Sequence, residues 1–239
     1  MTVKVAAFNA SRTEVDAADF RCDGISDDVE INAATNFLNE VSLLRAKFGT
    51  NSWFTDAAGQ LLTQYSGIED RMEKSFHFVT LDKDQGNVYS YEFSSILRET
   101  GSVFCSVLDV LIRNSTRKPR KHYDFEAYRT FLNTYVPNVH AQVVAVRSVF
   151  PMVLIPFSAL DSAGRPPRWW LAYKKVKRCA VANCKEANLA NALGSVAALG
   201  IMGRHLECFL STRLFTNIGL EYPPNDPATT KARILYDMT

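Results

Sequence analysis

The chain has 239 residues, 47% of them hydrophobic and 22% charged, a balance that suits a folded globular protein and excludes wholesale disorder. Lysine and arginine total 27 against 25 acids. The net charge of +2 therefore says little by itself, and what matters is where the charges fall.

Residues 1–40 hold eight acids against three bases, a local net of −5. Within them "MTVKVAAF" suits a short strand, and Asp23-Gly24 marks a turn. No basic leader followed by an apolar block opens the chain, so no signal peptide is expected. Ser26 reads as an N-cap, with Asp27, Asp28 and Glu30 in the first turn, where carboxylates favour the helix dipole. Apolar residues at helical spacing carry that helix to Gly49.

A second helix is predicted from Asn51-Ser52 through residue 81, broken by "DKDQGN". "VYSYEFSSILRETGSVFCSVLDVLIRNS" predicts a long helix whose core stripe includes Phe93, Ile96, Leu97, Phe104, Leu108 and Leu111. "RNSTRKPRKHYD" reads as a basic connector ended by Pro119, and Asp124 as the cap of "FEAYRTFLNTYV". The next stretch, "PNVHAQVVAVRSVFPMVLIPFSAL", leaves helix and extended chain open, because it mixes β-branched residues with prolines. Pro166-Pro167 suits entry into "RWWLAYKKVKR". "KEANLANALGSVAALGIMGRHLECFLSTRLFTN" then has the length and composition of a largely buried helix. Its 17 uncharged residues between Glu186 and Arg204 are diluted by Asn188, Asn191 and Ser195, which favours a core helix over a membrane span. The expectation is a mainly α helical bundle with room for one short N-terminal strand. It divides into an acidic segment 1–50, a helical domain 51–219 and a proline-containing tail 220–239.

Five scattered cysteines suit a reduced, cytoplasmic setting. Cys179 and Cys184 are five apart, unlike C-x-x-C, and a metal would need His205 or Cys208 from about 20 residues on. No metal and no cofactor are expected.

Two acid-free basic runs stand out, residues 113–121 and residues 162–185. On a helix, Trp169, Ala172, Tyr173 and Val176 share one stripe, which reads as core. Arg168, Lys174, Lys175, Lys177 and Arg178 face elsewhere, with Trp170 at the edge. Cations bordered by an aromatic are what a surface tracking a phosphate backbone needs, and a solvated helix face is the plainer alternative. Arginine followed closely by histidine occurs at Arg117/His122, in the basic connector, and at Arg71/His77, where His77 in "SFHFV" reads as a core histidine. Arg117 and His122 are the catalytic candidates. Asn188 and Asn191 read as caps or cross-links between helices.

In order along the chain, "NVYSYEFSSILRET", "IPFSAL", "PRWWLAYKKVKR" and "ANLANALGSVAAL" resemble the motifs of prokaryotic HEPN-like helical domains, many of them from anti-phage defence and toxin loci. The resemblance covers roughly residues 65–215. It implies a helical bundle that dimerises and binds RNA or a nucleotide. Active relatives cleave RNA without a metal, using an Arg/His pair that moves the proton and steadies the phosphate. Trp169, Trp170, Tyr173, Val176 and Lys177 match the family's tryptophan-containing helix. Its Asn falls on Lys174, its His on Arg178 and its last Arg on Ala180. The implied function is thus binding of RNA or a nucleotide, with any nuclease chemistry degenerate. Residues 5–39 are also similar to the entry segment of phage-tail and pectate-lyase-like β-helix proteins. That supports an alternative expectation, a non-enzymatic structural or adaptor protein of phage derivation.

Overall fold

The computed structural model describes residues 5–7, 36, 39–44, 46–48, 52–116, 119–120, 122–146, 152–160 and 165–217. The Asp23-Gly24 turn, the Ser26 cap and the tail 220–239 lie outside the described residues. What is described is a mainly α bundle of five long or medium helices: α1 (Ser52–Ser75), α2 (Tyr91–Ser115), α3 (Phe125–Tyr135), α4 (Arg168–Arg178) and α5 (Leu189–Asn217). Residues 39–44 and 46–48 are also helical.

Local chemistry accounts for most of the boundaries. The Ser90 hydroxyl accepts from the Phe93 N–H at 3.0 Å and starts α2, and Asp124 Oδ1 accepts from the Ala127 N–H at 2.9 Å and starts α3. Asn188 Oδ1 accepts from the Asn191 N–H at 3.0 Å at the start of α5. That helix therefore opens at Leu189, after a separate 3-10 turn at Cys184–Glu186, rather than at Lys185 as the composition suggested. Likewise α1 stops at Ser75, short of residue 81. Phe76, Phe78 and Val79 turn back on carbonyls of the last helical turn, and Ser75 Oγ donates to Met72 O.

Within the stretch left open by the sequence, residues 142–146 and 152–154 are strands, flanked by 3-10 turns at Val139–Ala141 and Ser158–Leu160. Gln142–Val146 (β2) pairs antiparallel with Met152–Leu154 (β3), and Val5–Ala7 (β1) pairs antiparallel with the other edge of β2, in the order β1-β2-β3. Val144 and Leu154, which face each other in that ladder, are buried. This small sheet sits beside the bundle and does not replace its core.

The helices alternate in direction. Arg71 of α1 meets Glu92 and Glu99 of α2, whereas a groove nearer the α1 start is lined by Ala57 to Gln64 and by Glu99 to Val110, so α1 and α2 run antiparallel. Trp169 of α4 lies against Gly194 of α5, while Lys175 further along α4 pairs with Glu186 before α5 starts, so α4 and α5 are antiparallel too. Gly101 shows how closely α2 and α4 approach. A Cβ there would sit 2.4 Å from the Tyr173 ring, so only glycine lets this buried ring lie on the helix. The outcome for position is simple. The end of α1, the starts of α2 and α5 and the end of α4 share one end of the bundle.

The core is aromatic at its centre. Phe104 meets Trp169 and Trp170 edge-on with centroids 5.3 and 5.9 Å away, and Trp169 Nε1 donates to Pro156 O at 2.8 Å. Burying each such side chain contributes roughly 1.5–3 kcal/mol. Among the described residues, no helix is long and apolar enough to cross a membrane.

Candidate nucleic-acid interface

α4 leaves the Pro166-Pro167 pair with Pro167 in extended backbone, and its two faces divide cleanly. Trp169, Ala172, Tyr173 and Val176 are buried, while Arg168, Leu171, Lys174, Lys175, Lys177 and Arg178 are exposed. Trp170 corrects the sequence expectation. It is only 4% exposed, enclosed by the rings of Phe104, Phe125, Tyr128 and Tyr173, and has no free face on which a base could stack. Helical periodicity put it at an edge, but α3 folds over that edge and closes it.

The basic face is therefore cationic without its tryptophan. Lys175 pairs with Glu186, and the Asn183 side-chain amide donates to the carbonyls of Lys175 and Cys179 at 3.0 and 2.9 Å, fixing the end of α4. Lys177 Nζ donates to the Tyr173 hydroxyl at 3.0 Å and lies 5.4 Å from that ring's centroid. Arg168, Lys174 and Arg178 project from an 11-residue helix about 16 Å long. Arg165 and Lys185, also exposed, extend the charge beyond both ends. Such a row can attract and neutralise a string of phosphates.

Beneath Lys177 lies a half-buried polar network. The Cys105 thiol is 3.8 Å from the Tyr173 hydroxyl, and the Tyr128 hydroxyl donates to Asp109 Oδ1 at 2.6 Å. Burial pushes the Tyr173 phenol and the Cys105 thiol up. Burial, then the bond to Asp109, pushes the Tyr128 phenol far up. The hydrogen bond to Tyr173 raises Lys177. All four groups hold their protons at neutral pH, so Cys105 is an inert thiol and Lys177 a fixed cation. For both phenols and Lys177, the folded state keeps protons that the unfolded state releases, so the stabilisation is intact below the ordinary phenol value of 10.0 and is lost as pH rises beyond it. An alkaline titration followed at 295 nm is expected to show Tyr128 and Tyr173 ionising only together with loss of the helical circular dichroism signal.

The catalytic candidates are placed differently. Arg117 lies outside the described residues, together with Lys118 and Lys121. His122 is exposed, three residues before Phe125, whose ring is 5.2 Å from that of Trp170. The connector thus ends against the first turn of α4, at the end where Arg168 stands. Arg71 and His77 do not form a pair. Arg71 donates to Glu92, Ser95 and Glu99 across the α1–α2 seam; burial pulls it down, but the bonds and charges of Glu92 and Glu99 together raise it. His77 is exposed in the turn after α1, not in the core as its apolar neighbours suggested. Cys179 and Cys184 are exposed free thiols near the end of α4, whereas His205 lies 16 residues into α5, about 24 Å along the axis, so these groups do not converge.

A second polar cluster was not legible in the sequence. Glu40, 1% exposed, accepts from the Asn138 N–H at 2.7 Å and from Gln142 Nε2 at 2.7 Å, and its Oε2 lies 3.0 Å from Nε2 of fully buried His205. His205 Nδ1 lies 2.8 Å from the Ile201 carbonyl, and its Nε2 is 3.3 Å from Gln142 Nε2, so both ring nitrogens are engaged. Glu40, Gln142 and His205 are buried, and their contacts pin residue 40 to β2 and α5. Comparison of the chain with family models, curated proteins and solved structures returns no match.

Proposed function

We propose that the chain is an RNA-binding helical protein whose contact surface is the outward face of α4. One observation carries this: Arg168, Lys174, Lys177 and Arg178 stand exposed along a single rigid helix, and among the described residues the carboxylate paired with this face is Glu186, on Lys175. The order of HEPN-like motifs supports RNA as the polyanion and a cytoplasmic homodimer in a phage-conflict setting as the context. The reading is one of binding and not cleavage, because Lys174, Arg178 and Ala180 occupy the positions where that family keeps its polar residues.

The test is the triple variant Arg168→Glu/Lys174→Glu/Arg178→Glu, assayed by fluorescence anisotropy with a labelled single-stranded RNA over a range of salt. Loss of three phosphate contacts should weaken binding at low salt by at least about 100-fold and flatten the log–log salt slope by about 2. Circular dichroism should be unchanged, because all three side chains are exposed. An unaltered affinity and slope would remove α4 as the contact surface.

A further inference from the structure

We infer that the end of the bundle where α4 stops carries an aromatic rim, Phe78, Tyr89 and Tyr91, on which unpaired bases of single-stranded RNA stack while α4 holds the backbone. This rests on the RNA-binding reading above and names the kind of RNA that the surface takes.

Three aromatics are exposed at that end: Tyr91 at 92%, Phe78 at 89% and Tyr89 at 51%. A lone exposed aromatic is ordinary, but three gathered on one end of a helical bundle mark a contact surface. The alternating helix directions bring them there. Phe78 lies in the turn that closes α1, Tyr91 is the first residue of α2, and Arg71 ties those two helices together through Glu92. Tyr89 is bridged antiparallel to Asn188, with Ser90 N–H donating to Ala187 O and Leu189 N–H to Val88 O. Position 89 is therefore held against the segment that leads from α4 into α5, two residues from Glu186 and three from Lys185. Exposed Val181 at the same turn adds an apolar contact.

Charge complementarity selects a nucleic acid over an apolar protein partner. Arg178 and Lys185 stand exposed on the segment that Tyr89 meets through Asn188, and Glu92 and Glu99 are engaged by Arg71 and Glu186 by Lys175, while Asp82 and exposed Asp84 lie in the turn between Phe78 and Tyr89. Fixed cations beside exposed ring faces are the two components of a single-strand surface. The bases of a duplex are stacked on one another and offer no faces to the rim, so single strands are preferred.

The experiment compares wild type, Tyr89→Ala/Tyr91→Ala, the same pair changed to Phe, and Phe78→Ala. The probes are a fluorescein-labelled oligouridylate of about 10 nucleotides and a duplex RNA of equal length. Expected are tighter binding of the single strand by wild type, a loss of about tenfold for each aromatic removed, an unchanged salt slope, and recovery in the Phe variant. Alanine variants that bind the oligouridylate as wild type does would overturn the inference, as would equal binding of duplex and single strand. A fall in sedimenting mass at unchanged RNA affinity would assign the rim to protein contact and overturn it as well. If wild type binds RNA with an α4-dependent slope and only the aromatic variants are silent, this inference alone fails. If wild type binds no RNA, the proposed function fails with it.

Discussion

Replacing Trp170 with alanine is expected to cost about 3–5 kcal/mol, the range for deleting a large buried ring and leaving its cavity. The side chain meets Phe125 at 5.2 Å, Tyr173 at 5.5 Å, Tyr128 at 5.6 Å, Trp169 at 5.8 Å and Phe104 at 5.9 Å between ring centroids, so its loss leaves a void bounded by three helices. That is a large share of the roughly 5–15 kcal/mol that holds a domain folded. Urea unfolding followed by circular dichroism measures it, with Trp170→Phe as the milder control. On the RNA-binding function proposed above, affinity of the folded variant should stay within about twofold of wild type, because the buried ring offers no surface to a ligand. A variant of near-native stability that had lost RNA affinity would return Trp170 to the interface.

Glu40→Leu is the second large effect. The substitution leaves the Asn138 N–H and the Gln142 amide without their acceptor and the His205 ring without its neighbour, with Gln142 and His205 both buried. Each buried polar group left without its partner costs about 1–3 kcal/mol, more than an exposed ion pair supplies. Adding His205→Leu should recover much of the loss, since the imidazole no longer needs a partner. A double-mutant cycle in urea checks this. Additive losses, with no recovery, would show that Glu40 acts through the Asn138 and Gln142 contacts and not through His205.

The parts of the fold that a periodic pattern dictates were readable in the residues. The stripe from Phe93 to Leu111 is buried as its spacing implies, and Ser90 and Asp124 cap where their side chains can reach an orphan N–H. Where the pattern failed, a neighbour decided. Trp170 lies at the margin of its helix's apolar stripe, and α3, brought over by Phe125 and Tyr128, turned that margin into core. Within the apolar stretch with prolines at 137–160, residues 142–146 became a strand because β1 and β3 supply partners on both sides of it, which no window on β2 alone can reveal. The Glu40–His205 pair joins residues 165 apart and leaves no local trace. Tyr91 was the recoverable omission. It falls off the Phe93–Ile96–Leu97 stripe, at a helix start, and an aromatic on the polar side of an amphipathic helix is itself a signal of exposure.

The same 165-residue separation bears on how the chain is made. At translation rates of about 5–20 residues per second, His205 leaves the ribosome on the order of 10–30 s after Glu40. Throughout that interval Glu40 lacks its His205 neighbour. The α1–α2 hairpin, built from contacts close in sequence, can form meanwhile, and closing the far longer loop comes last. Seating of Glu40 against α5 is thus a late event in biogenesis.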